Sequence, residues 1–283
     1  MSLNSINTNQ ASYIALQSLN TTSSELQATQ KAISTGYRVS DATDGGAAFA
    51  IAQRVRSDVG ALTTVNQQLG NAKGLVGTTI TGLTTVSNLV NAARKTLITL
   101  ADGNTTGSQR AAAIQTYKQT LVSIKSAIQD SSYSGKTLIG NITGSAGTFS
   151  KATLIRNDQG ATYGVATFGG SAFFGSLSFT GTQLGGATTV AGLITSGGVL
   201  LKKIDQLGQQ LNSYAAASNF IDNQTTFNSS KIDSLNSGLG SLIDADLTKE
   251  AARLQSLQIK QQLGTQALSI ANQAPSSLIS LFK

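Results

Sequence analysis

The chain contains no cysteine, no histidine and no tryptophan, and it has a single proline. Without cysteine there can be no disulfide, no thiolate nucleophile and no cysteine-ligated zinc or iron–sulfur site. Without histidine there is no imidazole base, no Ser-His-Asp triad and no histidine-ligated metal. These absences remove most common catalytic sites, so we expect no catalytic residue, no cofactor-binding residue, no metal site, and a protein that is not an enzyme.

Charge is scarce as well, since charged residues make up 12% of the 283 positions, about half the usual share. The 20 Lys and Arg residues exceed the 13 Asp and Glu residues by seven. The cations are not clustered with aromatic residues as they are on nucleic-acid-binding surfaces, so we expect no nucleic-acid partner. No window approaches the ~18 apolar residues needed to span a bilayer, so we expect no membrane insertion.

Composition divides the chain into three zones. Residues 1–140 and 199–283 have apolar residues at helical spacing, whereas residues 141–198 contain 13 of the 29 glycines and 5 of the 9 phenylalanines. Within this middle zone, two strand-like stretches flank the turn sequence Asn157-Asp158-Gln159-Gly160 and predict a β-hairpin. We interpret the following stretch, residues 169–190, as further short strands.

Both ends of the chain carry heptad-spaced apolar residues, which is typical of helices that pack as an antiparallel pair. Their outer faces carry Asn, Gln, Ser, Thr and Ala instead of the Glu and Lys of a solvated coiled coil,. Amides and hydroxyls can be buried in pairs, whereas an unpaired buried charge costs several kcal/mol. The terminal helices are therefore predicted to assemble with copies of themselves.

Longer helices are predicted between these zones, over residues 47–100 and 108–129 and from about residue 198 onwards. Rods of this length without a compact core indicate a fibre subunit. The predicted fold class is mainly α, with a long antiparallel helical coiled coil or rod formed by the N- and C-terminal segments. A small region rich in β-hairpin completes it in the middle.

Three stretches of this chain resemble bacterial flagellin, the subunit of the flagellar filament. They are the opening residues 3–9, the segment 33–48 with the sequence ISTGYRVSDATDGGAA, and residues 261–275 followed by Leu278, Leu281 and Phe282. A fourth element, residues 134–138, is similar to a short motif of the same family. Together the resemblance covers both termini and most of the predicted rod.

The resemblance implies a three-part organisation. Residues 1–40 and 245–283 would form the inner helical domain of the filament core, and residues 41–140 with 199–244 would form a helical rod domain. Residues 141–198 would form a hairpin and a small outward-facing region. The implied function is that of a structural subunit which self-polymerises into the filament, the helical propeller for swimming.

The implied partners are other copies of this chain, the flagellar type III export apparatus with its export chaperone, and the filament cap and hook-filament junction proteins. The implied location is secreted and extracellular, in the bacterial flagellum. The first residues lack the basic and apolar regions of a secretory signal peptide, which fits export by this separate route.

Two sets of residues are candidate functional sites. The self-assembly contact is predicted to use the apolar heptad residues Leu16, Leu19, Leu26, Ile33, Leu247, Leu254, Leu257, Leu268, Leu278 and Leu281. The segment between the terminal helix and the first rod helix, residues 36–46, which we name the spoke, is predicted to act as a hinge through Gly36, Arg38, Asp41, Asp44, Gly45 and Gly46.

Two alternatives remain open from the sequence. A hook-filament junction protein would share related termini. A surface adhesin or glycan-binding protein could use the phenylalanines of the middle zone, namely Phe168, Phe173, Phe174 and Phe179. The competing interpretation of these aromatic residues is that they form a hydrophobic core.

Overall fold

The computed structural model describes residues 8–195 and 197–280, except for the side chains of residues 274–280. The elements follow in the order α1 (Gln10–Thr35), α2 (Ala42–Ala101), α3 (Gly107–Gln129), β1 (Lys136–Thr137), β2 (Thr148–Phe149), β3 (Ala152–Ile155), β4 (Thr162–Val165), α4 (Gly170–Leu177), α5 (Gly181–Gly185), α6 (Ala187–Ile194), α7 (Val199–Ile243) and α8 (Leu247–Ser280). Long helices at both ends and small strand pairs in the middle confirm the predicted fold class.

Local sequence signals account for several helix ends. The Asn9 side chain caps α1 by accepting a hydrogen bond from a backbone N–H of the first turn at 3.1 Å,. Thr106 and Gln109 form a reciprocal capping box at the start of α3,. The predicted helices at 47–100 and 108–129 correspond to α2 and α3, and the prediction of a helix from about residue 198 corresponds to α7.

The chain divides into two compact units, each with its own hydrophobic core. Unit 1 comprises residues 1–59 and 233–283, and unit 2 comprises residues 60–232. The buried core residues of unit 1 are Val39, Ala52 and Ile243, with Ala48, Phe49, Leu239 and Leu242 packed against them.

Unit 2 contains an extensive apolar core, so the expectation of rods without a compact core is wrong for this part of the chain. Apolar residues of α2, α3 and α7 meet side chains from the middle zone there. Tyr117 and Tyr214 are fully buried and donate their hydroxyls to the carbonyls of Leu177 (2.6 Å) and Leu138 (3.4 Å). Burial raises the pKa of both phenols, to about 12 in Tyr214, so both remain hydrogen-bond donors.

The predicted hairpin is formed by β3 and β4, which pair antiparallel from Ala152 opposite Val165 to Ile155 opposite Thr162. Polar contacts hold its tip. The buried Asn228 of α7 donates to the Arg156 carbonyl at 3.2 Å. A two-stranded hairpin is marginal by itself, so contacts of this kind are needed to keep it in place.

The stretch 169–190 forms helices and not the short strands that we expected. Thr180 and Gln183 make a capping box that starts α5,. In α4, Phe173 and Leu177 are four residues apart and both buried, which is the spacing of one helix face. The abundance of Gly, Phe and Thr suggested strands, but the helical spacing of the core residues and the cap determine the structure.

Two glycines of α2 allow another segment of unit 2 to approach the helix closely. A Cβ placed on Gly82 would lie 2.0 Å from the Ser131 Oγ, and one placed on Gly74 would lie 2.6 Å from the Tyr133 ring. A methyl group at Gly82 would therefore force Ser131 to move, and one at Gly74 would displace the end of the exposed Tyr133 side chain. Gly77 differs because a Cβ there would have nothing within 4 Å.

We expect Gly82→Ala to lower the free energy of unfolding by about 1–3 kcal/mol, because the added methyl overpacks the contact with Ser131. The matched variant Gly77→Ala should raise it by about 0.5–1 kcal/mol, since alanine is the better helix former and no contact is disturbed. Urea unfolding of the monomeric chain, followed by circular dichroism, measures both changes. Equal changes in the two variants would contradict the close approach at Gly82.

Candidate assembly surface and spoke

The helices at the two ends of the chain pack against each other in unit 1. Near the start of α1, the Asn9 side-chain amide donates to the Ala271 carbonyl at 2.6 Å, and the Ser12 hydroxyl donates to the Asn272 side chain at 2.8 Å. Further along α1, Glu25 lies 3.7 Å from Arg253. Rising numbers on α1 meet falling numbers on α8, so the two helices form an antiparallel pair.

The predicted assembly residues fall into different environments. Leu257 is buried within the protomer, and Leu19, Leu26, Ile33, Leu254 and Leu268 are half-buried. Leu16 and Leu247 are exposed. Leu281 and the side chain of Leu278 lie outside the described residues.

Heptad spacing places most of these residues on the inner face of the helix pair. On α8, Leu254 and Leu268 are two heptads apart, and the neighbouring Gly264 lies against Leu19 of α1. Within the protomer these leucines therefore join α1 to α8. Their burial provides the apolar contribution that holds the pair together.

A second apolar stripe on the same helices was not singled out from the sequence. On α8, Ile259, Leu263 and Ile270 are 57%, 57% and 69% exposed. They are spaced by four and seven residues, which places them on one helix face, opposite the face that contacts α1. On α1, Tyr13 and Ile14 are exposed in the same way. The signal in the sequence is a second set of apolar residues at spacings of four and seven, beside the heptad that contains Leu254 and Leu268.

The exposed stripe is surrounded by uncharged side chains. Between Ile259 and Ile270, the only charged residue is Lys260. Soluble monomers rarely leave contiguous apolar surface exposed without a partner. A helix surface that combines exposed Ile and Leu with amides and hydroxyls is suited to burial against another polypeptide.

The spoke is held by hydrogen bonds to the last residues of α7 and to the segment that follows it. Gly36 ends α1 with a φ of +74°, a left-handed conformation that favours glycine,. The N–H groups of Arg38 and Val39 donate to the Ile243 carbonyl, at 2.6 and 3.2 Å, and the Ala245 N–H donates to the Gly36 carbonyl at 2.9 Å. The Arg38 guanidinium donates to the Leu242 carbonyl as well.

Lys31 binds both predicted acids of the spoke. Its Nζ lies 2.9 Å from both carboxylate oxygens of Asp44 and also contacts Asp41 Oδ2. Asp44 Oδ2 further accepts from the Ser40 N–H and hydroxyl, at 2.9 and 2.8 Å. Asp41 Oδ1 accepts from the Thr43 N–H at 2.8 Å. One lysine and two carboxylates thus fix the turn that leads into α2.

These contacts change the acidity of all three groups. Hydrogen bonds from Lys31, and then from Thr43, lower the pKa of Asp41 to about 2. Hydrogen bonds from Lys31, and then from Ser40, hold the pKa of Asp44 well below its ordinary value. The hydrogen bonds to Asp41 and Asp44 raise the pKa of Lys31. All three side chains are therefore charged near neutral pH.

We expect Asp44→Asn to lower the urea midpoint of unfolding at pH 7. A carboxyl with a lower pKa in the folded state stabilises that state above its unfolded pKa, near 4, and loses this contribution as the pH falls through the folded value,. The difference between the variant and the parent chain should therefore shrink as the pH falls from about 4 towards 2. Urea unfolding of the monomer at pH 7, 4 and 2.5 measures it.

The matched control is Asp233→Asn, because Asp233 is exposed on α7 of the same unit and has no ion pair among the described residues. Its urea midpoint should stay near that of the parent chain at each pH. A loss in Asp44→Asn that is independent of pH between 7 and 2.5 would contradict an ionised role for Asp44.

The spoke bends inside α2 at Gly45, whose backbone is extended (φ 173°, ψ 86°) and not helical. A Cβ at Gly45 would make ordinary contact with Val39 at 3.6 Å, and one at Gly46 would have nothing within 4 Å. The bend therefore does not depend on close packing at either glycine.

Among residues 8–195 and 197–280, no three or more Asp and Glu side chains cluster as metal ligands would. In that same part, no helix combines the length and the apolar character needed to cross a bilayer. The carboxylates of the spoke are occupied by Lys31.

The phenylalanines considered for an adhesive role lie in or against the core of unit 2. Phe168 and Phe173 are buried and pack on each other with ring centroids 5.2 Å apart. Phe174 and Phe179 are half-buried and pack against the same core. These positions support the core interpretation of the four rings.

Both ends of the chain match one protein family. Residues 6–143 match the family described as "Bacterial flagellin N-terminal helical region", and residues 198–282 match "Bacterial flagellin C-terminal helical region". The two matches include the paired helices, the spoke and most of unit 2.

Individual relatives align along the whole chain. Flagellin FljM of Caulobacter vibrioides is 34% identical over 287 aligned residues, covering 100% of both chains. A flagellin of Brucella melitensis is 33% identical over 292 aligned residues, covering 99% of each. The crystal structure of Bacillus cereus flagellin matches with a TM-score of 0.48 and 16% identity, over 57% of this chain and 88% of that chain.

Proposed function

The chain belongs to the bacterial flagellins and is a structural subunit that self-polymerises into the flagellar filament; from this premise we propose that the exposed stripe of α1 and α8 makes the contacts between copies. The observation that carries the proposal is the exposure of Ile259, Leu263 and Ile270 on the face of α8 opposite α1. Burial of each such side chain is worth about 1.5–3 kcal/mol, and a filament repeats the contact at every subunit.

This proposal assigns two roles to the apolar residues of the terminal helices. The inner-face residues, such as Leu254 and Leu257, hold α1 and α8 together within one copy. The outward-facing residues, which include the predicted Leu16 and Leu247 and the stripe on α8, contact neighbouring copies. The division explains why both faces of these helices carry little charge, since both would be buried after assembly.

We propose the domain organisation implied by the resemblance on the same basis. Residues 1–40 and 245–283 form the inner helical domain, residues 41–140 and 199–244 form the rod, and residues 141–198 form the outward-facing region. In support, the two boundaries of the inner helical domain, after residue 40 and before residue 245, fall in breaks between helices. The first break separates α1 from α2, and the second separates α7 from α8.

Export and its partners also belong to the proposal. The subunit would pass unfolded through the flagellar type III export apparatus with the help of an export chaperone, and would become secreted and extracellular. It would then join the filament below the cap, with the hook-filament junction proteins at the base. The absence of cysteine supports unfolded passage, because no disulfide has to be broken or formed,.

We expect Ile259→Asp and Leu263→Asp to abolish polymerisation while the monomer remains folded. Each places a charge on the proposed contact and removes its apolar side chain, whereas the pairing of α1 with α8 is untouched. Leu257→Asp should instead destabilise the monomer, because Leu257 is buried inside the pair. Seeded assembly followed by electron microscopy, with circular dichroism of the monomer, measures both effects.

Gln258→Asp provides the matched control, because Gln258 is an exposed polar neighbour on the same helix but lies off the stripe. It adds the same charge without removing an apolar contact, so it should impair assembly far less. Filaments of normal length from Ile259→Asp would rule out the proposed contact.

We expect the double variant Gly45→Ala with Gly46→Ala to fold normally and to form filaments of altered helical shape. Both positions have space for a methyl group, and alanine favours a helix over the extended backbone seen at Gly45 by about 1 kcal/mol. Gly60→Ala, at an exposed helical glycine of α2 with an open surrounding, is the matched control. Unchanged waveform and swimming in the double variant would show that the spoke is no hinge.

A further inference from the structure

A groove of about 410 Å³ lies in unit 2 between α2, the turn before β1, and β3. Its apolar wall is formed by Ala72 and Leu75 of α2 and by Leu154 of β3. The amide side chains of Gln68 and Asn71 complete the wall on the side of α2. None of these residues takes part in the assembly surface described above.

One side of the groove is the free edge of β3. Residues 150–155 all line it without a gap, and because strand side chains alternate between faces, such continuity indicates a backbone edge. The Arg156 N–H donates to the Ala161 carbonyl in the hairpin, so the antiparallel alternation turns the N–H and C=O groups of Thr153 and Ile155 away from β4. Among the described residues, β3 pairs with β4 alone.

The rim of the groove is positively charged. Lys136 and Lys151 are both exposed and both line it, although the end of the Lys151 side chain lies near Gly164 of β4, and the lining contains no carboxylate. Neither lysine forms an ion pair with any described residue. Unit 2 as a whole has 12 Lys and Arg residues against 5 Asp residues, so the surrounding field favours an anionic partner.

We propose that this groove binds an extended acidic peptide segment, which adds to β3 as a further strand. The backbone groups of Thr153 and Ile155 repeat every second residue, which is the spacing that an added strand satisfies. The four residues of β3 span about 13 Å at roughly 3.3 Å per residue, so a segment of about four residues fills the edge. Lys136 pairs with its acidic side chains, and Lys151 does so by turning its exposed side chain from Gly164 towards the groove.

The probe is a synthetic peptide of sequence Thr-Asp-Val-Glu-Val-Asp-Thr with blocked ends, added to the monomeric full-length chain at low salt. Amide hydrogen exchange, resolved by nuclear magnetic resonance, should slow at least tenfold for Thr153 and Ile155 at saturation. The same peptide with N-methyl groups on alternate amides cannot add as a strand, and its affinity should fall at least tenfold. Equal binding of the methylated peptide would overturn strand addition.

The charge preference is tested by the double variant Lys136→Gln with Lys151→Gln. It should bind the acidic peptide about tenfold more weakly at low salt, with a smaller difference at 0.5 M salt because salt screens the pairs. Lys95→Gln, an exposed lysine of unit 2 outside the groove, should bind as the parent chain does. Equal losses in the two variants, or equal affinity for a peptide with lysines in place of its acids, would overturn the acidic assignment.

A second copy of the chain is the alternative occupant, and the same spectra identify it. If exchange at Thr153 and Ile155 slows with rising protein concentration in the absence of peptide, the edge is an interface between copies and the proposed peptide site is wrong. Exchange that is independent of protein concentration and slowed by the acidic peptide supports the proposal.

Discussion

The antiparallel pairing of α1 with α8 is the contact on which unit 1 depends. It joins residues more than 250 positions apart, as the hydrogen bonds from Asn9 to Ala271 and from Ser12 to Asn272 show, so it forms only after both ends of the chain are available. The single ion pair described between the two helices, Glu25 with Arg253, is long and exposed and contributes little. Apolar burial therefore adds to these hydrogen bonds in holding the pair, while Ile259, Leu263 and Ile270 on the opposite face of α8 remain exposed.

The hydroxyl groups of helices that are polar but uncharged need hydrogen-bond partners if the helix surface is to be buried. The threonines of this chain find such partners within their own helix. The hydroxyls of Thr21 and Thr22 donate to carbonyls four residues earlier, at 3.0 and 2.9 Å. The same bond satisfies Thr79, which is fully buried in unit 2. A hydroxyl that is satisfied inside its own helix can enter an interface without a partner there and without the desolvation cost of a charge. This accounts for a composition rich in Thr and Ser and poor in Glu and Lys.

The sequence allowed the main elements to be predicted, because they depend on local patterns: apolar spacing set α2, α3 and α7, and turn residues located the hairpin. The predictions failed where tertiary contacts, and not local patterns, determine the structure. The stretch 169–190 became helical because Phe173 and Leu177 are buried on one helix face. No sequence pattern indicated the role of Lys31, because its partners Asp41 and Asp44 come close to it only after the chain reverses direction. The outer stripe of α8 was not predicted, because the heptad that contains Leu254 and Leu268 was sufficient to predict an amphipathic helix with one apolar face.

The distribution of charge bears on what drives polymerisation. Unit 1 has eight Lys and Arg residues and eight Asp and Glu residues, so the net charge of +7 resides entirely in unit 2. Copies brought together in a filament repel one another through unit 2, and salt weakens this repulsion over distances of about 10 Å at 0.1 M. A neutral unit 1 adds no repulsion of its own. If the proposed contacts through α1 and α8 drive assembly, they oppose only the screened repulsion of unit 2, and the driving force for assembly and its salt sensitivity then lie in different parts of the chain.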